Sequence, residues 1–308
     1  MAGHSVEAVL RQELAHADAL LGTISPILRH LLANDDHSVF SDEIIARVRG
    51  MMEHLARQLL DALGEAAGET ERVEHPPEPV AALVDSFVVH SPFLTHVHAL
   101  ALEWQLTERL QARLALDPVL SPLLQSLIAA PEGETAGQAV ALLAAQARFA
   151  QAQRRMELPL GELPGDLLHA AVLALHSVAG SEAVDQAGAA ERLIRGRHDP
   201  ARSRLGLLTR LVAGMGGGAT AALSVTHAGV ALFATALGIA SGHDRDMAVL
   251  ATNEGQLARL ALALRSAGLK PAAIEEQFLT LHPDVSLPDG FDALSPDSAA
   301  ALLARTGA

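Results

Sequence analysis

The chain has 308 residues, half of them apolar, and its 36 acids and 22 bases give a formal charge of −14. The absence of cysteine excludes a disulfide framework, a thiolate metal site and a cysteine nucleophile. The excess of acids disfavours nucleic acid as a partner. Leu and Ala dominate the apolar residues and aromatic residues make up only 3%. Because such residues favour helices over strands, the composition predicts an all-α fold.

The acids are concentrated in the first third of the chain. Residues 1–91 contain 15 acids and 6 bases, 92–180 contain 8 and 5, and 181–308 contain 13 and 11. An acidic region favours a basic protein partner, although acids on solvated helix faces also keep a Leu- and Ala-rich protein soluble. The opening MAGHSVEAVLRQEL does not resemble a secretory signal, so we expect a cytoplasmic location.

Helix starts are marked by Ser-Pro and Asp-Pro pairs that precede runs of Leu, Ala and Val spaced by three and four. A Ser or Asp oxygen accepts a bond from a free N–H of the first turn, and Pro fits just inside a helix start. The six pairs are Ser25-Pro26, Ser91-Pro92, Asp117-Pro118, Ser121-Pro122, Asp199-Pro200 and Ser295-Pro296. The periodicity predicts helices at 5–21, 25–33, 41–63, 79–90, 92–115, 121–130, 135–156, 164–178, 181–196, 200–213, 219–241, 254–267, 271–281 and 296–305.

The helix at 41–63 shows the clearest signals. Ser41 is predicted as its N-cap, Met52, Leu55 and Leu59 lie on its apolar face, and Gly64 is predicted to end it. The acidic, Pro-containing stretch 65–78 that follows is predicted to be an exposed and poorly ordered loop.

The order of helices indicates a duplication. ISPILRHLLA at 24–33 matches LSPLLQSLIA at 120–129, and FVVHS at 87–91 matches LALHS at 173–177. We therefore predict tandem four-helix units in a helical repeat or multi-helix bundle, with repeats at 1–91 and 92–180 and a helical region at 181–308. The long helices should bury matching stripes, which are Met52, Leu55 and Leu59 in one and Leu143, Ala147 and Ala150 in the other. The uncharged helix 219–241 is the expected partner of the second stripe.

Histidines and carboxylates at helical spacing suggest a metal site as one alternative. In the second repeat, an acid and an imidazole three residues apart have the spacing of metal ligands in helical bundles. No Glu-x-x-His occurs twice and no His-Glu-x-x-His occurs, so surface or core roles compete with this interpretation. The candidate ligands are His90, His96, His98, Glu103, Asp166, His169 and His176.

One basic cluster could bind an anion. Guanidinium groups form paired bonds to phosphate and carboxylate groups, although these arginines could equally pair with acids of the first repeat. The cluster consists of Arg192, Arg195, Arg197, Arg202, Arg204 and Arg210.

Two further patterns have simpler interpretations than a dinucleotide site or a membrane span. Gly214–Ala219 fits the spacing GxGxxG/A, but no βαβ unit surrounds it, so a helix break or a close backbone approach is predicted and no dinucleotide cofactor is expected. Residues 211–242 contain no Asp, Glu, Lys or Arg and are long enough to span a bilayer. Their many Ala and Gly residues favour a closely packed core helix, and membrane association stays an alternative.

The segment 251–283, ATNEGQLARLALALRSAGLKPAAIEEQFLTLHP, resembles the C-terminal part of uncharacterised all-helical proteins of alphaproteobacteria. The resemblance implies a helical fold and no assigned activity. A helix–turn–helix within it would present Glu275 and Glu276, the wrong charge for DNA.

No catalytic or cofactor motif emerges, so we predict a non-catalytic binding or regulatory module without a cofactor. Its ligand or protein partner would lie in a groove between repeats. The alternatives are an enzyme or metal protein with a His/carboxylate site, and a membrane-associated protein that uses 211–242.

Overall fold

The computed structural model describes residues 6–33, 42–69 and 75–304, and these ranges form helices without any β-strand. The all-α prediction is thus confirmed. The α-helices of the first half are α1 (Val6–Ala33), α2 (Asp42–Ala66), α3 (Pro77–Val89), α4 (Ser91–Leu114), α5 (Pro122–Ile128) and α6 (Gly133–Arg154). Those of the second half are α7 (Gly165–Ala179), α8 (Val184–Arg197), α9 (Arg204–Gly214), α10 (Val225–Ser241), α11 (Arg245–Leu250), α12 (Leu257–Ser266), α13 (Pro271–Leu281) and α14 (Pro296–Ala304).

The predicted helix start at Ser25-Pro26 and the predicted helix end at Gly64 are wrong. The pair Ser25-Pro26 does not start a helix, because α1 continues through it. Proline removes one backbone hydrogen bond there, but the burial of Leu28 and Leu31 just beyond it favours continuation. Gly64 does not end α2, which continues to Ala66; Gly68 follows with φ +87°, a conformation in which glycine has no Cβ penalty.

Among the other Ser-Pro and Asp-Pro pairs, some cap the start of a helix and others form a turn before a helix. Ser121 caps α5, since its Oγ accepts the N–H of Leu124 at 3.2 Å, and Ser295 Oγ accepts the N–H of Ser298 at 3.0 Å. Asp117 and Asp199 instead accept N–H groups two or three residues ahead, in turns that precede α5 and α9. The predicted cap Ser41 and part of the predicted loop at 65–78 lie outside the described residues.

The chain folds into two compact units, each built from segments that alternate along the sequence. Unit 1 comprises 1–26, 105–143 and 208–308, and unit 2 comprises 27–104 and 144–207. The boundaries fall within α1, α4, α6 and α9. The predicted divisions after 91 and 180 both lie within the segments of unit 2, and the duplication stays a prediction.

Unit 2 is organised around α2. This helix packs against α3, α7 and α8, and α3 also packs against α7. The predicted stripe of Met52, Leu55 and Leu59 is fully buried, which confirms that side of α2 as core. In α6, Ala150 is buried, but Leu143 and Ala147 are only half-buried. The buried face of α6 is therefore rotated from the predicted stripe and includes Gln146 and Gln153, which sequence patterning treats as surface residues.

Unit 1 is organised around α10, which packs against α5, α11, α12 and α13. Val230, Phe233 and Leu237 of α10 are buried, whereas residues 219–223 of the predicted helix 219–241 belong to the 3₁₀ segment Gly216–Leu223. Its path bends at Gly229, where φ is +73° and an added Cβ would lie 3.1 Å from the Cβ of Ser121. The first N–H of α10, on Val225, donates to Gln277 Oε1 at 2.9 Å.

Candidate binding cleft

Unit 2 contains a cleft of about 700 Å³ between a polar face of α2 and an apolar face of α3. Four charged residues of α2 line it one turn apart, with alternating sign: Arg49, Glu53, Arg57 and Asp61. The other lining residues are Leu32, His54, Gln58, His75, Pro77, Val80, Ala81, Val84 and Asp85. The cleft therefore offers charge on one side and hydrocarbon on the other.

The charged groups of the cleft contact one another and the backbone. Arg57 Nη2 lies 2.7 Å from Glu53 Oε2, and both side chains remain more than a third exposed. Asp61 Oδ1 accepts from His75 Nε2 at 2.8 Å, and Arg49 Nη2 donates to the carbonyl of Leu32 at 3.2 Å. An exposed pair such as Arg57–Glu53 contributes little to stability, so its groups can also interact with a ligand.

Beside the cleft, two side chains of α2 bind an extended piece of backbone. The N–H of Leu158 donates to His54 Nδ1 at 3.2 Å, and Gln58 Nε2 donates to the carbonyl of Leu158 at 2.9 Å. The N–H of Leu160 donates to Gln58 Oε1 at 3.0 Å. These bonds hold the segment 158–160, which we call the strap, against α2.

A second cavity of about 360 Å³ shares Gln58 and Asp61 with the cleft and extends between α2, the strap, α7 and α8. At its rim, Arg197 binds Glu65 through two contacts of 2.8 and 2.5 Å. The bonds from Arg197 lower the pKa of Glu65. The neighbouring His198 donates from Nε2 to the carbonyl of Leu163 at 3.0 Å.

The candidate metal ligands of α3 and α4 lie in different surroundings. His90 is exposed at the α3–α4 junction, where its Nδ1 accepts the N–H of Phe93 at 3.3 Å. His96 and His98 are buried inside unit 2, and desolvation lowers the pKa of His98 to about 4. Glu103 is also buried, and Arg204 occupies both of its carboxylate oxygens at 2.8 and 2.9 Å.

The candidates on α7 lie on its outer face and two of them connect to α8. Asp166 and His169 are exposed. His169 Nδ1 accepts from Arg195 Nη2 at 2.9 Å, and His176 Nε2 donates to Glu191 Oε2 at 2.9 Å. Arg195 Nε also donates to Glu191 Oε1 at 2.7 Å, and the bonds from Arg195 and then His176 lower the pKa of Glu191.

Within the described ranges, no three His, Asp or Glu side chains are grouped so that they could hold one metal ion. All seven predicted metal ligands lie within the described ranges. Three of them are engaged by arginine or by a carboxylate, as the contacts of Glu103, His169 and His176 show.

The six candidate anion-binding arginines also lie in different surroundings. Arg192, Arg202 and Arg210 are exposed, and Arg195 and Arg197 bind the acids Glu191 and Glu65. Arg204 is almost fully buried. The sequence also allowed these arginines to pair with acids of the first repeat. Arg197 does so, because its partner Glu65 lies in 1–91.

Arg204 belongs to a buried polar group that sequence analysis did not identify as such. In addition to its two bonds to Glu103, its Nη1 donates to Gln146 Oε1 at 3.2 Å and its guanidinium lies 3.6 Å from the ring centre of Phe149. From the sequence alone, Glu103 and Arg204 belong to two different candidate sites, because nothing in their spacing shows that they meet.

Among the described helices, none is by itself both long and apolar enough to cross a membrane. Two bent pairs pass that test of length and composition together: α3 with α4, bent by 94°, and the 3₁₀ segment Gly216–Leu223 with α10, bent by 114°. The glycines of the GxGxxG/A pattern precede this second bend, and Cβ atoms added at Gly214, Gly217 or Gly218 would meet open space.

Comparisons of the chain with protein-family models, with curated proteins and with solved structures find no match.

Proposed function

We propose that the protein is a non-catalytic binding module whose ligand or partner occupies the cleft between α2 and α3. The observation that supports this is the cleft itself, about 700 Å³ in volume and within the usual range for ligand sites. Its described lining includes no Ser, Thr, Cys, Lys or Tyr side chain, so it offers His and carboxylate groups but no hydroxyl, thiol or amine nucleophile.

The charge of the lining suggests a basic partner. Three acids, Glu53, Asp61 and Asp85, stand against two arginines, Arg49 and Arg57. Asp85 is an exposed residue of α3. A net negative cleft raises the local concentration of cations, which agrees with the acidic character of residues 1–91.

A bulky side chain at Ala81 tests the cleft. Ala81 is exposed and lines it, whereas the neighbouring Ala82 is exposed on α3 but does not. We expect compounds or peptides that raise the melting temperature of the wild type in a thermal-shift screen to lose that effect with Ala81→Trp. They should keep it with the matched control Ala82→Trp.

The proposal fails if the screen gives no stabilising compound, or if every stabilising compound acts equally on Ala81→Trp and the wild type. Circular dichroism of both variants should show unchanged helicity, since both substitutions lie on exposed positions of one helix.

A further inference from the structure

The four charged residues of α2 that line the cleft follow a helix ridge. Arg49, Glu53, Arg57 and Asp61 are spaced by four residues, so successive charges rise by about 6 Å along α2. Rows of residues spaced by four are the ridges through which helices most often pack against each other. The side chains on this ridge are half-buried or exposed, whereas the opposite side of α2 is core.

The alternating sign of the charges along this ridge indicates which kind of partner matches it. Residues spaced by four on a second helix carry charges at the same interval of about 6 Å, so each can face an opposite charge on α2. An extended peptide places its same-side residues nearer to about 7 Å apart, and a small molecule needs no repeated alternation. The pattern therefore matches a helix best.

The other side of the cleft completes the surface for an amphipathic helix. Pro77, Val80, Ala81 and Val84 lie on one face of α3 and line the cleft with hydrocarbon. A helix with an apolar stripe beside a charged stripe could place the first on α3 and the second on the ridge of α2. Both members of the existing pair Arg57–Glu53 are more than a third exposed, so exchange of this pair for partners on a bound helix costs little.

We infer that the occupant of the cleft is an amphipathic helix of a partner protein, with charges of alternating sign one turn apart along the edge of its apolar stripe. This inference rests on the proposed function and names the class of partner. Charge order would select the partner, and the apolar contacts on α3 would supply most of the affinity.

The test uses the full chain and two fluorescent helical peptides of identical composition. Both carry the same Leu and Ala stripe. The alternating peptide has Glu, Lys, Glu and Lys at positions spaced by four, and the block peptide has Glu, Glu, Lys and Lys there. We expect fluorescence anisotropy at low salt to show about fivefold tighter binding of the alternating peptide, because the block order places charges of the peptide opposite like charges of α2.

A charge reversal with rescue makes the assignment to α2 specific. Arg57→Glu should weaken binding of the alternating peptide by about fivefold, and changing the third charged residue of the peptide from Glu to Lys should restore it. Arg148→Glu, at an exposed arginine of α6 outside the cleft, is the matched control and should have no effect.

Equal binding of the two peptides, no effect of Arg57→Glu, or no binding of either peptide at about 1 mM overturns the inference. If the peptides fail while the thermal-shift screen still yields compounds that depend on Ala81, the helix partner is wrong and the binding module stands. If both experiments fail, the proposed function falls as well.

Discussion

The ion pair Glu103–Arg204 is buried inside unit 2. Both side chains are at most 2% exposed, and the guanidinium holds both carboxylate oxygens. Removal of one partner from a buried pair leaves an uncompensated charge, whereas replacement of both by apolar residues is often tolerated.

We therefore expect Arg204→Met to lower the free energy of unfolding by about 3–5 kcal/mol. The double variant Glu103→Leu/Arg204→Met should recover much of that loss. Urea unfolding of the two variants and the wild type measures the difference. If the double variant were no more stable than Arg204→Met, the charge left on Glu103 would not be the cause.

Buried His98 makes the stability of the fold depend on pH. Its pKa is about 4 in the folded protein and near 6.5 in an unfolded chain, so between these values only the unfolded chain is protonated. Above pH 6.5 the contribution of His98 to the free energy of unfolding is constant. This contribution is lost as the pH falls from 6.5 towards 4, and the loss is about 3 kcal/mol in all. Urea unfolding at about pH 7.5 and about pH 4.5 should show a smaller difference for His98→Gln than for the wild type, and equal differences would exclude this role.

The turn before α9 places Arg204, and its close approach to the start of α9 requires a glycine at position 206. Ser203 Oγ donates to the carbonyl of Pro200 at 2.9 Å and accepts the N–H of Gly206 at 3.1 Å. A Cβ at position 206 would lie 2.0 Å from the carbonyl oxygen of Pro200, which is far closer than contact allows.

Gly206→Ala should therefore displace the turn and lower the melting temperature by several degrees. Gly196→Ala is the matched control, because it lies inside α8 with no atom near the added methyl group and should be neutral or slightly stabilising. Equal melting temperatures for wild type and Gly206→Ala would show that the turn adapts without cost.

The helices of the fold could be predicted from the sequence, whereas the cleft could not. The spacing of Leu and Ala by three and four placed α13 at 271–281, because that periodicity depends only on local geometry. The meeting of Glu103 with Arg204, the rotated buried face of α6 and the apposition of α2 with α3 depend on tertiary packing. The alternation from Arg49 to Asp61 was visible in the chain, but its position in a cleft requires knowledge of which helix lies opposite.

The backbone bonds of the strap limit where proline can occur in this segment. His54 and Gln58 bind the backbone of Leu158 and Leu160, so they recognise the course of the chain and not its side chains. Of the three strap positions, 159 alone contributes no N–H to α2, and it is occupied by proline, which has none to contribute. The bonds to α2 thus set a rule for this segment: proline fits at 159 and is excluded at 158 and 160, while the bonds themselves place no demand on the chemistry of the side chains there.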